Sequence, residues 1–264
     1  MAQGITTATL DAKLLVGHAL GLDALQMATR ESDVVPDETA VTLLMQRRLT
    51  GESVARIIGH REFYGLDFAL NEATLEPRPD TELLVDLALK ALPQGGRLLD
   101  LGTGTGCIPI AVLANRPDAT GKASDINPRA LDMAGQNRAR HGLDARLALV
   151  QSDWFTALPK GETFDLILSN PPYIASAVVD TLASEVKDFD PRLALDGGPD
   201  GLAPYRIIAT DAAAWLKPGG NVLVEIGYDQ GEAVAKLFEG AGFTQIKIEK
   251  DLAGLDRVVC AHHI

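Results

Sequence analysis

Between residues 97 and 114 the chain runs strand, glycine loop, helix, and no other stretch constrains the fold as tightly. Arg97-Leu98-Leu99-Asp100-Leu101 is an apolar run of strand length. Gly102-Thr103-Gly104-Thr105-Gly106 follows directly, and Cys107 to Ala114 reads as the opening of a helix. A glycine loop in that context is how a parallel sheet brings backbone close to a nucleotide. Beyond it, strand and helix patterns alternate. Further strands are expected at Gly121 to Asp125, Arg146 to Gln151, Phe164 to Ser169 and Asn221 to Ile226, with two closely spaced ones at Phe243 to Lys250 and Arg257 to Ala261. Alternation of this kind predicts an α/β, doubly wound, Rossmann-like sheet, mostly parallel and closed by an antiparallel pair.

The loop spacing separates ligand classes. A dinucleotide loop needs a third glycine where Cys107 stands, and a P-loop needs Lys-Ser/Thr where Ile108-Pro109 stands. Asp100, just before the glycines, would repel a pyrophosphate. A cationic nucleoside without phosphate suits the site better, which points to S-adenosylmethionine. The plain alternative is a tight turn with no ligand. Asp125 follows the loop at about twenty residues, the distance at which an acid meets ribose hydroxyls. Asp153 and Trp154, after the third strand, are placed to take an adenine amino group and ring, although Trp154 also reads as a core aromatic.

A second signal follows the strand Phe164 to Ser169. Asn170-Pro171-Pro172-Tyr173 must end that strand, because proline cannot continue a central ladder. The prolines stiffen the turn and present an amide, carbonyl acceptors and an aromatic ring at the carboxyl end of a strand, where open sheets bind ligands. This set suits gripping a planar NH2 group. A turn residue satisfying its own backbone is the plain reading of Asn170, and a core ring that of Tyr173.

Composition narrows the partners. The chain has 264 residues, 46% of them hydrophobic, and a net charge of −12. That balance argues against broad nucleic-acid contact, which needs clustered cations. The only adjacent basic pair, Arg47-Arg48, reads as a solvated helix face. Two cysteines make neither a disulfide framework nor a metal cluster, and the five histidines show no ligand spacing, so no metal is expected. Cys107 reads as a small buried residue and His262-His263 as solvated. No apolar run reaches membrane length, and Met1 to Gly4 lacks the start of a signal peptide, so a cytoplasmic protein is expected.

Three units are expected: a helical domain over residues 1–60, a β-hairpin linker over 61–76 and the nucleotide-binding domain over 77–264. The first carries helical patterns at Thr9 to Leu20, ending at Gly21, and at Ala40 to Leu49. The second has Phe63-Tyr64-Gly65-Leu66-Asp67-Phe68, strand formers around a glycine turn. A helix from Leu83 to Leu92 should follow, with Asp80 or Thr81 as its cap.

With these motifs in place, the chain resembles the peptide chain release factor glutamine N5-methyltransferases, the PrmC/HemK family, over nearly its whole length. The resemblance is carried by Gly59-His60-Arg61-Glu62-Phe63-Tyr64, Pro77-Arg78-Pro79-Asp80-Thr81-Glu82, Asp100 to Gly106, Gln151-Ser152-Asp153-Trp154-Phe155 and Ser169 to Tyr173. It implies a seven-stranded methyltransferase fold behind a small N-terminal helical domain. It implies that S-adenosylmethionine, leaving as S-adenosylhomocysteine, contacts Gly102, Thr103, Gly104, Thr105, Gly106, Asp125, Trp154 and Asn170. It implies that the glutamine of the Gly-Gly-Gln motif of class I release factors is held by Asn170, Pro171, Pro172 and Tyr173. Arg78 is a further candidate for substrate contact, against a plain ion pair with Asp80 or Glu82. Where relatives carry a glutamate beside a proline, this chain has Asp190-Pro191, and Asp190 is expected to serve with a shorter reach. A monomer is expected. Alternative functions are a ribosomal-protein glutamine methyltransferase, an adenine amino-group methyltransferase on nucleic acid, and a non-catalytic cofactor-binding protein.

Overall fold

The computed structural model describes Ile5 and residues 7–30, 32–35 and 37–264. Met1 to Gly4, expected to lack the start of a signal peptide, lie outside the described residues. Among the described residues the N-terminal segment forms four α-helices: α1 (Ala8–Leu20), α2 (Ala24–Thr29), α3 (Thr39–Leu49) and α4 (Val54–Ile58). Gly21 ends α1 in the left-handed conformation at φ 64°. Asp23 and Gln26 exchange side chain–backbone hydrogen bonds at 2.8 and 2.9 Å, a capping box that starts α2. The Ser53 hydroxyl accepts from Arg56 N and starts α4.

The expectation of a solvated Arg47-Arg48 face fails for Arg48. It is 8% exposed, its Nε donates to Asp11 Oδ2 at 2.7 Å and its Nη1 lies 2.8 Å from Glu185 Oε1. The α3 face that carries Arg48 packs on α1, and a guanidinium there needs the Asp11 carboxylate to remain charged.

A hairpin follows. β1 (His60–Phe63) pairs antiparallel with β2 (Leu66–Ala69). Tyr64 and Gly65 between them both have positive φ, 53° and 74°, as a two-residue turn matched to strand twist requires. Phe63 and Phe68 lie on its buried face with ring centroids 6.1 Å apart. One 3-10 turn, Pro79–Thr81, leads into α5 (Glu82–Ala91). Neither Asp80 nor Thr81 caps α5 with its side chain: Asp80 lies inside the 3-10 turn, and the Thr81 hydroxyl accepts from Asn170 instead.

The rest builds the sheet: β3 (Arg97–Leu101), α6 (Cys107–Asn115), β4 (Thr120–Asp125), α7 (Pro128–Arg140), β5 (Leu147–Gln151), β6 (Phe164–Ser169), α8 (Ser176–Val179), α9 (Ser184–Lys187), α10 (Ala203–Asp211), β7 (Leu216–Glu225), α11 (Gly231–Gly240), β8 (Thr244–Lys250) and β9 (Asp256–His262). Strand order is β5-β4-β3-β6-β7-β9-β8. The first five strands are parallel, and β9 runs antiparallel to both β7 and β8. This is the expected α/β methyltransferase sheet of seven strands with its antiparallel closing pair. Apolar side chains are buried on both faces: Leu98 packs in the cluster with α5 and α6, and Leu99 and Leu101 pack in the one with α10 and α11. Two-sided burial explains why β3 reads as a continuous apolar run.

The chain winds outward in both directions from the β3–β6 pair, and the crevice at such a switch point is where open sheets bind ligands. His262 and His263 are half-buried rather than solvated, because β9 is an inner strand; His262 Nδ1 lies 3.2 Å from Asn221 Oδ1 of β7. Among the described residues, no helix is long and apolar enough to cross a membrane, and no cluster of three or more His, Cys, Asp or Glu could hold a metal ion.

Candidate active site

A cleft of about 400 Å³ opens at the carboxyl ends of the parallel strands. The glycine loop forms its floor. Gly102, Gly104 and Gly106 all have positive φ, at 71°, 55° and 79°. Gly106 is also constrained by space: a Cβ there would lie 3.0 Å from Ile110 Cδ1 and 3.3 Å from Ala134 Cβ, so it sits beneath the wall as the residue that seats α6. Thr103 N donates to Ser124 O at 2.9 Å, tying the loop to β4. Cys107 is buried at the helix start, and burial pushes its thiol up to about 12.

Asp125, at the end of β4, holds the loop's shape as well as facing the cleft. Its Oδ2 accepts from Gly104 N and its Oδ1 from Asn127 N, both at 2.9 Å. Burial raises its pKa, and the backbone donors oppose that shift. Asp153 and Trp154 follow β5 and line the same cleft, Asp153 exposed and Trp154 half-buried. Trp154 has φ 49°, a conformation costing an aromatic residue on the order of 1–3 kcal/mol.

The Asn170 turn closes the far side. β6 ends at Ser169, whose Oγ donates to Leu101 O at 2.8 Å and so fastens the tips of β6 and β3 together. Asn170 lines the cleft, with its Nδ2 donating to Thr81 Oγ1 at 3.2 Å. Pro172 also lines it, whereas Pro171 is buried outside the wall. Tyr173 lies behind the wall, half-buried against the core around Tyr205 and Val224. Burial and the Glu225 charge push its hydroxyl up to about 12. The turn is held from behind: Gln230 Nε2 donates to Tyr173 O at 2.9 Å. A Cβ on Gly201 would lie 2.4 Å from that same oxygen, and one on Gly197 would lie 2.7 Å from Pro172 O. Asp196-Gly197-Gly198 is a turn signal in the sequence, but only the fold brings it beneath the Asn170 turn.

Arg78 lines the cleft and pairs with neither Asp80 nor Glu82. Its Nη2 donates to Asp190 Oδ2 at 2.8 Å. Asp190 also accepts from Arg56 of α4, from Nε at 3.2 Å and from Nη2. The Asp190 carboxylate is therefore a buried anchor between two guanidinia, and Pro191, Leu193 and Ala194 after it form the cleft's outer wall.

Two more acids lie beneath the site, Asp100, which the sequence places beside the glycine loop, and Glu225, which no local motif marks. Asp100, at the base of the glycine loop, is fully buried with neither carboxylate oxygen in a hydrogen bond. Burial pushes it up to about 7, the Thr103 hydroxyl opposes, and the Asp125 charge adds to the rise. Glu225, at the end of β7, is buried behind Asn170. Among the described residues lining the cleft, Glu76, Asp125, Asp153 and Asp196 outnumber one cation, Arg78, which shares Asp190 with Arg56; Glu76 and Asp196 also have Arg61 and Arg192 at 3.4 Å, so Asp125 and Asp153 carry most of the negative charge. A negatively lined cleft with a glycine floor fits a cationic nucleoside and disfavours a phosphate.

Comparison with known proteins agrees with this geometry. Two family models match the chain: PrmC N-terminal domain over residues 1–59 and methyltransferase small domain over residues 78–188. A release factor glutamine methyltransferase from Agrobacterium fabrum is 47% identical over 266 residues, covering 98% of this chain and 91% of the relative. Another, from Neisseria gonorrhoeae, is 41% identical over 258 residues, covering 97% and 93%. Among solved structures, a methyltransferase from Pyrococcus furiosus superposes with a TM-score of 0.59 at 18% identity, covering 84% of this chain and 100% of that one, a likeness of fold.

Proposed function

The chain belongs to the release factor glutamine methyltransferase family, and on that premise we propose that it methylates the side-chain N5 of the Gly-Gly-Gln glutamine of class I release factors. It is a methyltransferase, and its methyl donor is S-adenosylmethionine. The observation that carries the reading is Asn170: its amide stands in the same cleft as the glycine loop and Asp125, with Nδ2 engaged by Thr81. That bond leaves Oδ1 as an acceptor for a substrate N–H.

When bound, the cofactor would supply a sulfonium methyl for in-line attack by the amide nitrogen; S-adenosylhomocysteine would leave as the sulfur–methyl bond breaks, and the methylated nitrogen would give up one proton to water. The chain's own residues orient the attacking group. An amide nitrogen is a poor nucleophile, because its lone pair is delocalised into the carbonyl. Asn170 Oδ1 and, although the Pro171 ring is buried outside the wall, the Pro171 carbonyl at the same turn accept its two N–H groups and aim the nitrogen. Their dipoles also stabilise the positive charge that develops there. Such alignment contributes on the order of 7–11 kcal/mol in favourable cases. Pro172 and Arg78 complete the substrate side, and Tyr173 supports the turn from behind. Gly102 to Gly106, Asp125, Asp153 and Trp154 hold the cofactor.

Residues 1–60 serve release factor recognition, 61–76 link, and 77–264 carry the chemistry. The links from Arg48 to Glu185 and from Arg56 to Asp190 support a further role for the helical unit in bracing the cleft wall. The reading extends to a monomeric cytoplasmic enzyme with no direct nucleic-acid partner, which the charge of −12 favours. Labelled methyl transfer tests it, with purified release factor, ribosomal protein and duplex DNA as competing acceptors. Label on release factor alone is expected; label on either other acceptor and none on release factor overturns the assignment.

A further inference from the structure

Behind Asn170 lies a buried acid that the reaction above does not use. Glu225 is 2% exposed, and its Oε2 has no hydrogen-bond partner. β6 and β7 run parallel with Ser169 opposite Val224, so the next residues along, Asn170 and Glu225, lie side by side. Thr81, also buried, accepts from Asn170 Nδ2 and has its own proton to place. The side-chain donors of Thr81 and Asn170 both stand near enough to the Glu225 carboxylate to lower its pKa. Three elements thus converge on one amide: the turn after β6, the end of β7 and the approach to α5.

We propose that Glu225, acting with Thr81, is a positioning residue that fixes which end of the Asn170 amide faces the cleft. The proposal rests on the reading that Asn170 grips the glutamine amide. The two ends of an asparagine amide are nearly isosteric, so its neighbours decide its orientation. An ionised carboxylate only accepts. It demands the NH2 end of Asn170 and the Thr81 proton, and so leaves Oδ1 toward the substrate. A protonated Glu225 carries a donor of its own. It can satisfy Oδ1 and turn the NH2 toward the cleft, where it opposes the substrate's N–H groups.

The surroundings put this switch within reach of ordinary pH. Burial pushes Glu225 up to about 7, against the Thr81 and Asn170 donors. Arg257 of β9 lowers it and Asp80 raises it. Arg257 divides its charge between Asp80 at 3.3 Å and Asp251 at 3.1 Å. The other titratable groups that feel Glu225 are Tyr173, Tyr205 and Cys107, all shifted upward and so neutral across this range.

The test is the pH dependence of kcat with saturating S-adenosylmethionine and full-length release factor. Wild type should rise through one ionisation near neutrality. Glu225→Gln should lose that ionisation and fall on the order of 10- to 100-fold at pH 8, the scale of a misplaced reacting group. Its KM for release factor and its adenosylhomocysteine affinity should stay within about twofold. Glu225→Asp should restore the pH limb in part. Thr81→Val, which leaves the acid in place, should lower kcat at pH 8 at unchanged cofactor affinity, and it decides the matter if Glu225→Gln does not fold. A Glu225→Gln enzyme with the wild-type limb and wild-type kcat, or a Thr81→Val enzyme with wild-type kcat, overturns the proposal. Asn170→Ala separates the two levels: if it keeps wild-type turnover, the grip itself is wrong; if it loses turnover while the Glu225 and Thr81 variants do not, only the positioning role falls.

Discussion

Arg56 and Asp190 stand 134 residues apart in sequence, yet Arg56 Nε donates to Asp190 Oδ1 at 3.2 Å in the buried joint between the N-terminal helices and the cleft wall. The same guanidinium donates to Asn71 O at 3.2 Å and to Thr74 O at 2.7 Å. One side chain therefore links α4, the segment after the hairpin and the segment leading to Pro191. Because Arg78 shares the carboxylate, the single charge of Asp190 serves two guanidinia.

Asp190→Asn keeps the shape but leaves Arg56 buried without a counter-charge. Breaking such a pair from one side costs roughly 3–5 kcal/mol. The urea midpoint should drop accordingly, and kcat/KM for release factor should fall more than adenosylhomocysteine affinity, because the wall that moves is on the substrate side. Unchanged stability would mean that the joint is solvated in solution.

Asp125 is the second test. Its carboxylate fixes Gly104 and faces the cleft. Asp125→Ala should weaken adenosylhomocysteine binding by about 1.5–3 kcal/mol, the scale of a hydrogen bond to a charged group. Calorimetry against NAD and ATP as controls checks both the magnitude and the ligand class; NAD binding without adenosylhomocysteine binding contradicts the site.

Asp100 predicts a pH dependence of stability. Its folded pKa, about 7, lies above that of an unfolded aspartate. Between roughly pH 4 and 7 the folded state therefore holds a proton that the unfolded state has lost, and the group's contribution to stability falls as pH rises through that window. Asp100→Asn removes the titration. The melting temperature of the cofactor-free variant, taken relative to wild type, should climb from pH 5 to pH 8 and level off above it. A difference that is flat across that range contradicts a buried, partnerless carboxylate.

What could be read in advance was local. The glycine loop, Asp125 and the Asn170 turn each announce themselves within a few residues, because backbone sterics and strand termination act over short spans. The missed features depend on partners far along the chain. Arg48 looked solvated because nothing near it reveals that Asp11 and Glu185 face it. Tyr173 reads as part of the grip, but Gln230 donates to its carbonyl from behind, Gly201 leaves no room there for a side chain, and its ring goes to the core. Glu225 lies within the expected strand Asn221 to Ile226 with no local signal of its own, and only the register of β7 against β6 puts it beside Asn170.

The central claim, that Asn170 holds a glutamine amide, is tested most directly by single-turnover methylation of a release factor and of its Gly-Gly-Gln→Gly-Gly-Ala variant, using wild type, Asn170→Ala and Asn170→Asp. The account predicts label on the Gly-Gly-Gln protein alone and collapse of the rate in Asn170→Ala while the fold persists. Asn170→Asp should lose rate even where cofactor binding holds, because its added charge favours the sulfonium ground state over the charge-dispersed transition state. Equal labelling of both release factors, or a wild-type rate in Asn170→Ala, would contradict it.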